Sequence, residues 1–591
     1  MSVKIDFSKD ALLDEFALAT LKDRYMVGDE TSPQEAFARA AMAFADDDAH
    51  AQRLYDYVSK LWFMFATPVL SNGGTRRGLP ISCFLNYVED SREGITDHFT
   101  ENAFLSSFGG GIGGSWSDIR ASGSKTSKGS ESTGVIPFVK VVDAEMLAFS
   151  QGVTRRGSYA GYLHMSHPEI EEFLDVRKPT GGDTNRKCTN IHHAVVVPDA
   201  FMELIHSASK YPDFDDSWDL TDPHSLEVKK TVSARALWVK ILQNRMETGE
   251  PYLMFEDAVN KDLPDFQKNK GLKVHHSNLC SEITLATNEE RTAVCCLSSV
   301  NLEYYDEWKD VPAFIPDLVR MLDNVLEYFI QNAPEQLEKA KFSAQRERSI
   351  GLGAMGFHAY LQKNDIPFDN PMATGANSEM FQYIKTQAEN TTRQLAVERG
   401  ACPDDDTCSV RNAHLLAIAP NASSSIICGN TSPSIEPYRA NAYTQKTKSG
   451  SNLVKNKFLD KLLMSKIGHS DVYDSTWKSI VAHRGSVQHL DILDEWEKDV
   501  FKTAVEINQA WIVEHASVRQ EYICQSQSVN LFFPPDVNKG DLHNVHMLAW
   551  AKNLKTLYYL RSEAISRADN VSSQTKREII FEQADCLSCE G

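Results

Sequence analysis

The stretch Asn278-Leu279-Cys280-Ser281-Glu282 sets an amide two residues before a cysteine and a carboxylate two residues after it. In an extended chain alternate side chains share a face, so a donor, a thiol and a general base would lie on one side. Such a set can move hydrogen atoms and protons at one substrate. The plain alternative is a buried small apolar thiol, as most free cysteines are. Other residues with reactive chemistry are spread along the chain. Cys83 lies in the apolar run Ile81–Leu85, Cys295 and Cys296 are adjacent, and Cys586-Leu587-Ser588-Cys589 nearly ends the sequence. The terminal Cys-x-x-Cys offers half of a zinc site, but no second pair or Cys/His cluster completes it. A dithiol on a polar arm is better suited to thiol–disulfide exchange with a buried site. Tyr558-Tyr559 would point to opposite faces of a regular strand, whereas at a turn or strand end they could stack, and only stacking suits hydrogen-atom or electron hopping; two core aromatics is the alternative. Asn421-Ala422-Ser423-Ser424-Ser425 is a hydroxyl-rich turn before an apolar segment. It reads either as a phosphate cradle at a helix start or as an ordinary serine-rich cap.

Elements must bring these residues together, and composition bounds what they are. The chain has 591 residues, 42% of them hydrophobic, enough for a large core. Lysine and arginine total 61 against 81 acids, a formal charge of -20 that repels a polyanion over most of the surface. A nucleotide in a local pocket remains compatible with that charge. The N-terminus has no apolar signal region, and the longest apolar run, Leu61 to Ala66, is far short of a membrane span. Eleven cysteines, an odd number, point to a reducing compartment, and a cytoplasmic location is expected.

Residues 1 to about 60 read as helical, with Ser32-Pro33-Gln34-Glu35 as a helix start. Residues 61 to about 561 read as one α/β unit in which helical stretches, such as Ala313 to Gln331 and Asp494 to Glu514, alternate with short apolar runs. Gly540-Asp541 is expected to cap a helix before Lys555–Arg561, which has strand composition. Gly109–Gly114 and Gly351–Gly356 each contain G-x-G-x-x-G, but without the strand and acid context of a dinucleotide site; close backbone approach explains them better. Gly152–Ser158 reads as a basic, glycine-bounded loop suited to anionic groups or to a solvated turn. Residues 562–591 are polar and read as a mobile tail.

Taken in order, these motifs resemble those of the catalytic large subunit of class I ribonucleotide reductase, from about Phe65 to Gly591. Asn278-Leu279-Cys280-Ser281-Glu282 looks like the family's Asn-x-Cys-x-Glu finger loop. Ser82-Cys83 and Cys295-Cys296-Leu297-Ser298-Ser299-Val300-Asn301-Leu302 look like the two segments carrying its redox pair, Cys83 and Cys295. Tyr558-Tyr559 resembles the radical-transfer dyad, and Cys586 with Cys589 its tail shuttle.

The resemblance implies a ten-stranded α/β barrel of two five-stranded half-barrels around the finger loop. It implies that Cys280 becomes a thiyl radical, that Glu282 is the base and that Asn278 holds substrate. Substrate contacts are implied at Thr67, Ser82, Gly111 and at Asn421, Ala422, Ser423, Ser424 and Ser425, and a specificity-effector site at Asp90, Ser91 and Arg92. Some relatives carry glutamate where this chain has Ala422, and the loop Ser124–Ser132 differs from theirs in composition. The implied partners are a second copy of the chain, a small radical-generating β subunit with a dimetal site, thioredoxin or glutaredoxin, and nucleotide substrate and effector. No cofactor or metal bound by the chain itself is expected. Because Cys83 lies so early, an ATP-cone domain is not expected. Three other readings fit less well. A cobalamin-dependent reductase has no need of the tyrosine pair, a silent nucleotide-binding subunit no need of the cysteines with Glu282, and an unrelated thiol oxidoreductase leaves Cys280 and the tyrosines without roles.

Overall fold

A computed structural model describes residues 2–81, 83–149, 157–447 and 450–562. Ser82, the loop residues Gly152 to Arg156, and the tail with Cys586 and Cys589 lie outside the described residues.

The N-terminal part is helical, with Glu15–Arg24, Pro33–Phe44 and Asp48–Ser59 preceding the first strand, Phe63–Phe65. The helix at Pro33 starts as its sequence predicts: Ser32 and Glu35 form a reciprocal capping box around proline in the first turn.

A seven-stranded sheet follows in the order Thr556–Leu557, Tyr252–Phe255, His192–Val197, Ser158–His164, Gly111–Ser115, Cys83–Tyr87, Ala293–Cys295. The five central strands are mutually parallel, and the two edge strands run antiparallel to them. Helices Arg92–Ser107, Ile136–Ala148 and Ala234–Thr248 lie in the crossovers, as parallel strands require. This curled sheet is one half of an α/β barrel. In the other half Leu297–Asn301 pairs in parallel with Gly351–Met355, and parallel bridges continue through Leu352–Leu416 and Ile418–Gln527.

The strands sort their residues by the two-residue period of a β-strand. Tyr159, Leu163, Val195, Val197, Leu253 and Phe255 join the large core beneath the helices. The intervening Tyr162, Ala194, Val196, Tyr252 and Met254 join a second, interior cluster that also holds Leu279, Cys280, Tyr558 and Tyr559. The barrel therefore encloses a segment of its own chain.

Three local expectations change. Asp494–Glu514 is two helices, Glu495–Val500 and Gln509–Gln520, because Thr503 turns back on Glu506 and Asn508 caps a new start. The cap before the Lys539–Ala551 helix is Asn538, whose side chain accepts from the Gly540 amide. Lys555–Arg561 is not one strand: Thr556–Leu557 pairs with one sheet and Leu560–Ser562 with another strand, leaving Tyr558-Tyr559 at the break. Both glycine motifs contribute strands, Gly111–Ser115 and Gly351–Met355.

Candidate active site

The loop carrying Cys280 enters the barrel without regular secondary structure, and residues 276–287 are all buried. Buried peptide groups need partners, and the barrel wall supplies them. Tyr162 Oη donates to the Asn278 carbonyl at 2.8 Å, Ser528 Oγ to the Cys280 carbonyl at 2.6 Å, and the Ser526 amide to the Glu282 carbonyl at 2.9 Å. Thr556 Oγ1 lies 2.9 Å from the Ser281 carbonyl. His276, which burial holds at a pKa of about 3 and so keeps neutral, places Nε2 3.0 Å from the Gly113 carbonyl. Gly113 is a close-approach glycine: a Cβ there would sit 2.0 Å from the Ser277 carbonyl oxygen.

The extended geometry that would put the three side chains on one face is not what forms. Ser281 has φ 68°, and the Ile283 amide returns to Asn278 Oδ1 at 3.2 Å, so the pentapeptide turns tightly. The loop must reverse inside the barrel, and the Asn278 side chain closes the reversal. Asn278 Oδ1 is consumed in this role, whereas its buried Nδ2 has no hydrogen-bond partner among the described residues. Glu282 is buried, with Oε2 3.3 Å from Ser528 Oγ.

The strand Ala293–Cys295 runs antiparallel to Cys83–Tyr87 with Cys83 directly opposite Cys295. Directly opposed residues in such a pair have Cα atoms roughly 4.5–5.5 Å apart, within the range a disulfide spans. Both cysteines are buried. Burial, with Cys83 and Glu282 nearby, pushes the Cys295 thiol well above its usual pKa, so it stays protonated. Cys296 lies between that strand and the next, Leu297–Asn301, and its Sγ lies 3.5 Å from the Leu322 carbonyl. The structure thus separates two cysteines that are adjacent in sequence.

Gly111 is the next residue in register beyond Cys83. A cleft lined by Ala66, Pro68, Pro80, Cys83, Cys295 and Leu297 opens beside the thiol pair. Thr67 starts the short helix Thr67–Asn72, with its hydroxyl 3.0 Å from Tyr25 Oη. The Asn421 turn becomes the helix Ala422–Ile427, entered through Asn421 at φ 57°. Strand Leu297–Asn301 ties both turns to one side of the site: Ser298 Oγ accepts from the Ala66 amide at 3.3 Å, and Asn421 Nδ2 donates to Ser299 Oγ at 2.8 Å. Asn421 Oδ1 is buried without a hydrogen-bond partner among the described residues. Ser423, Ser424 and Ser425 are buried, and Ala422 is half-buried.

Tyr558 and Tyr559 pack against each other with ring centroids 4.4 Å apart, and Tyr252 lies 4.7 and 5.0 Å from them. The wholly buried Arg245 anchors the pair by donating to the Tyr558 carbonyl at 2.9 Å. Their place in the cluster of Cys280 joins the aromatic pair to the thiol. Asp90, Ser91 and Arg92 stand apart from it. Ser91 caps the helix Arg92–Ser107, Asp90 pairs with Arg120 at 2.9 Å, and Arg92 is exposed.

Sequence reading missed the wall residues Tyr162, Tyr252, Ser528 and Thr556, which have no spacing relation to Cys280. Only Gln525-Ser526-Gln527-Ser528, a polar run between apolar segments, signals a wall facing a polar interior.

Residues 11–78 match the all-alpha domain of ribonucleotide reductase, and residues 81–407 and 404–560 its barrel domain. The chain is 45% identical over 637 residues to the ribonucleoside-diphosphate reductase large subunit of Invertebrate iridescent virus 3, covering 100% of both. It is 33% identical to the ribonucleoside-diphosphate reductase subunit alpha of Chlamydia trachomatis, across 96% of this chain and 60% of that one. The solved class Id ribonucleotide reductase alpha subunit of Actinobacillus ureae superposes with a TM-score of 0.82 at 34% identity, covering 95% of this chain and 99% of that one. With the buried thiol loop, the opposed thiol pair and the tyrosine pair in one barrel, these matches place the chain in the ribonucleotide reductase family as a class I large subunit.

Proposed function

We propose that the chain reduces ribonucleoside diphosphates to 2′-deoxyribonucleoside diphosphates for DNA synthesis, with Cys280 as the radical thiol. The observation that carries this reading is the meeting of three parts: Cys280 in a cluster with Tyr558 and Tyr559, and Cys83 opposite Cys295. The 2′-hydroxyl is a poor leaving group on an unactivated carbon, and a radical at the neighbouring 3′ carbon makes its departure feasible. Cys280 takes the 3′ hydrogen, and Glu282 takes the 3′-hydroxyl proton and gives it back to the 3′ oxygen at the end of the cycle. Cys83 protonates the departing 2′-hydroxyl, which leaves as water. Cys83 and Cys295 together supply two electrons and two protons and become a disulfide, and Cys280 returns the 3′ hydrogen. The protonated state of the Cys295 thiol suits that donation.

In this reading the orphan amide of Asn278 and the orphan oxygen of Asn421 meet the substrate. Thr67, Ser82, Gly111 and the 421–425 turn form the surrounding contacts. Tyr558 and Tyr559 relay the radical from a small β subunit bearing a dimetal site, and the chain works as a homodimer. Cys586 and Cys589 reset the disulfide and are themselves reduced by thioredoxin or glutaredoxin. A nucleoside triphosphate effector binds near Asp90, Ser91 and Arg92. The division into 1–60, 61–561 and 562–591 follows these tasks, and the cytoplasm is their setting. Among the described residues no helix is long and apolar enough to cross a membrane, and no group of three or more His, Cys, Asp or Glu is arranged to hold a metal.

The test is reduction of a ribonucleoside diphosphate with and without a class I small subunit, and with adenosylcobalamin in its place. Turnover that requires the small subunit supports the reading; turnover with adenosylcobalamin alone overturns it.

A further inference from the structure

His192 begins the strand beside Tyr252–Phe255, and its ring faces the outer member of the tyrosine pair. Its Nδ1 lies 3.2 Å from Tyr559 Oη and 2.5 Å from Glu250 Oε1. The two rings meet edge to face at 6.0 Å, and His192 stacks on Tyr252 at 6.1 Å. Glu250 is itself fixed: it accepts from the His193 amide at 3.1 Å, faces His193 Nδ1 at 3.1 Å, and has Arg177 Nε 3.4 Å away. Although burial opposes ionisation, Arg177 and His192 hold its carboxyl well below the usual range, so Glu250 is an anion.

An anionic oxygen this close to Nδ1 requires a hydrogen on that nitrogen, since two facing lone pairs would repel. The Nδ1–H is then shared between Glu250 and Tyr559, and the phenolic oxygen can only accept from it. A phenol that accepts from a fixed N–H must point its own hydrogen elsewhere. Near the ring, Arg561 sits 4.2 Å over the Tyr559 face, which further limits how it can turn.

We infer that His192, anchored by Glu250, is a positioning residue for Tyr559 that fixes the ring and aims the phenolic hydrogen away from the sheet. This rests on Tyr559 being a radical carrier, as proposed above. Hydrogen-atom transfer is steeply sensitive to the distance and direction of the O–H bond, so a freely rotating phenol would slow relay without touching the substrate site. Nothing in the pentapeptide motif or the tyrosine dyad points to His192 or Glu250, because strand pairing alone brings them to Tyr559.

The test compares His192→Phe, which keeps an aromatic ring but removes the donor, with His192→Asn, whose amide can place an N–H near the position of Nδ1. Steady-state reduction is measured with the small subunit present, alongside nucleotide binding and thermal melting. His192→Phe is expected to lower kcat by roughly tenfold or more while leaving KM for nucleotide and for the small subunit unchanged, with His192→Asn recovering most of the loss. The solvent deuterium isotope effect on kcat should rise in His192→Phe and return toward wild type in His192→Asn. The pH profile must be read with Glu250 and Tyr252, which touch His192, and with His193 and Arg177 on Glu250, Arg245 on the Tyr558 carbonyl and Arg561 over Tyr559 in mind. Unchanged kcat in His192→Phe, a change in KM alone, or no recovery in His192→Asn overturns the inference. Tyr559→Phe in the same assay separates the two ideas: if it remains active the radical-carrier reading fails, and if it is dead while His192→Phe is active only this inference fails.

Discussion

Gly113 passes so near Ser277 that a β-carbon would stand 2.0 Å from the Ser277 carbonyl oxygen and 2.9 Å from the Asn278 α-carbon. Barrel strand and finger loop are in backbone contact there, and the position of Cys280 depends on it. Gly113→Ala must push the loop away from the strand. Overpacking of this kind costs about 1–3 kcal/mol, and a displacement of about 1 Å at a reacting group can cost on the order of 100-fold in rate. The expected result is a lowered melting temperature with a larger loss of kcat than of nucleotide affinity. Wild-type turnover in the variant would refute this coupling.

Cys280→Ser keeps the size of the side chain and removes the thiol. Turnover should vanish while isothermal titration with substrate and effector nucleotides stays near wild type. Deoxyribonucleotide product from this variant would overturn the proposed chemistry.

Cys83 and Cys295 face each other, whereas Cys296 faces the helix Phe314–Asn332 and the Leu322 carbonyl. After a single turnover without external reductant, peptide mapping should find a Cys83–Cys295 disulfide. Cys296→Ala should still form it, and Cys295→Ala should not. A Cys83–Cys296 bridge would contradict the Cys83–Cys295 register.

Glu347 is fully buried among Ser343, Ser349 and Arg291, and burial pushes its carboxyl up to about 7. Between its ordinary value near 4.5 and about 7 the native state keeps a proton that the unfolded chain has released, so stability falls as pH rises through that window. The contribution is on the order of 3 kcal/mol, from 1.36 kcal/mol per pKa unit. Urea titrations from pH 4 to 8 should show a flatter dependence for Glu347→Gln, with the variant gaining relative stability at the alkaline end. An unchanged slope would rule the group out.

Ser32 caps the helix Pro33–Phe44 far from the thiols. Ser32→Ala should cost about 1 kcal/mol, as lost N-caps do, visible in thermal melting, with kcat unchanged.

The reactive residue types, their order along the chain and several helix starts were legible in sequence, because a thiol, a carboxylate, a cap or a glycine turn declares itself locally. Cys280 with Glu282, the Tyr558-Tyr559 pair and the Ser32–Glu35 cap belong to that class. Strand pairing is a contact between distant segments, and no local pattern contains it. Only the fold could set Cys83 rather than any other thiol against Cys295, turn the loop tightly at Ser281, break the terminal strand so that the two tyrosines pack together, and bring His192 to Tyr559. The sequence determined which chemistry the chain can perform; tertiary structure decided which atoms meet, because register and loop path depend on what the whole barrel can bury and satisfy at once.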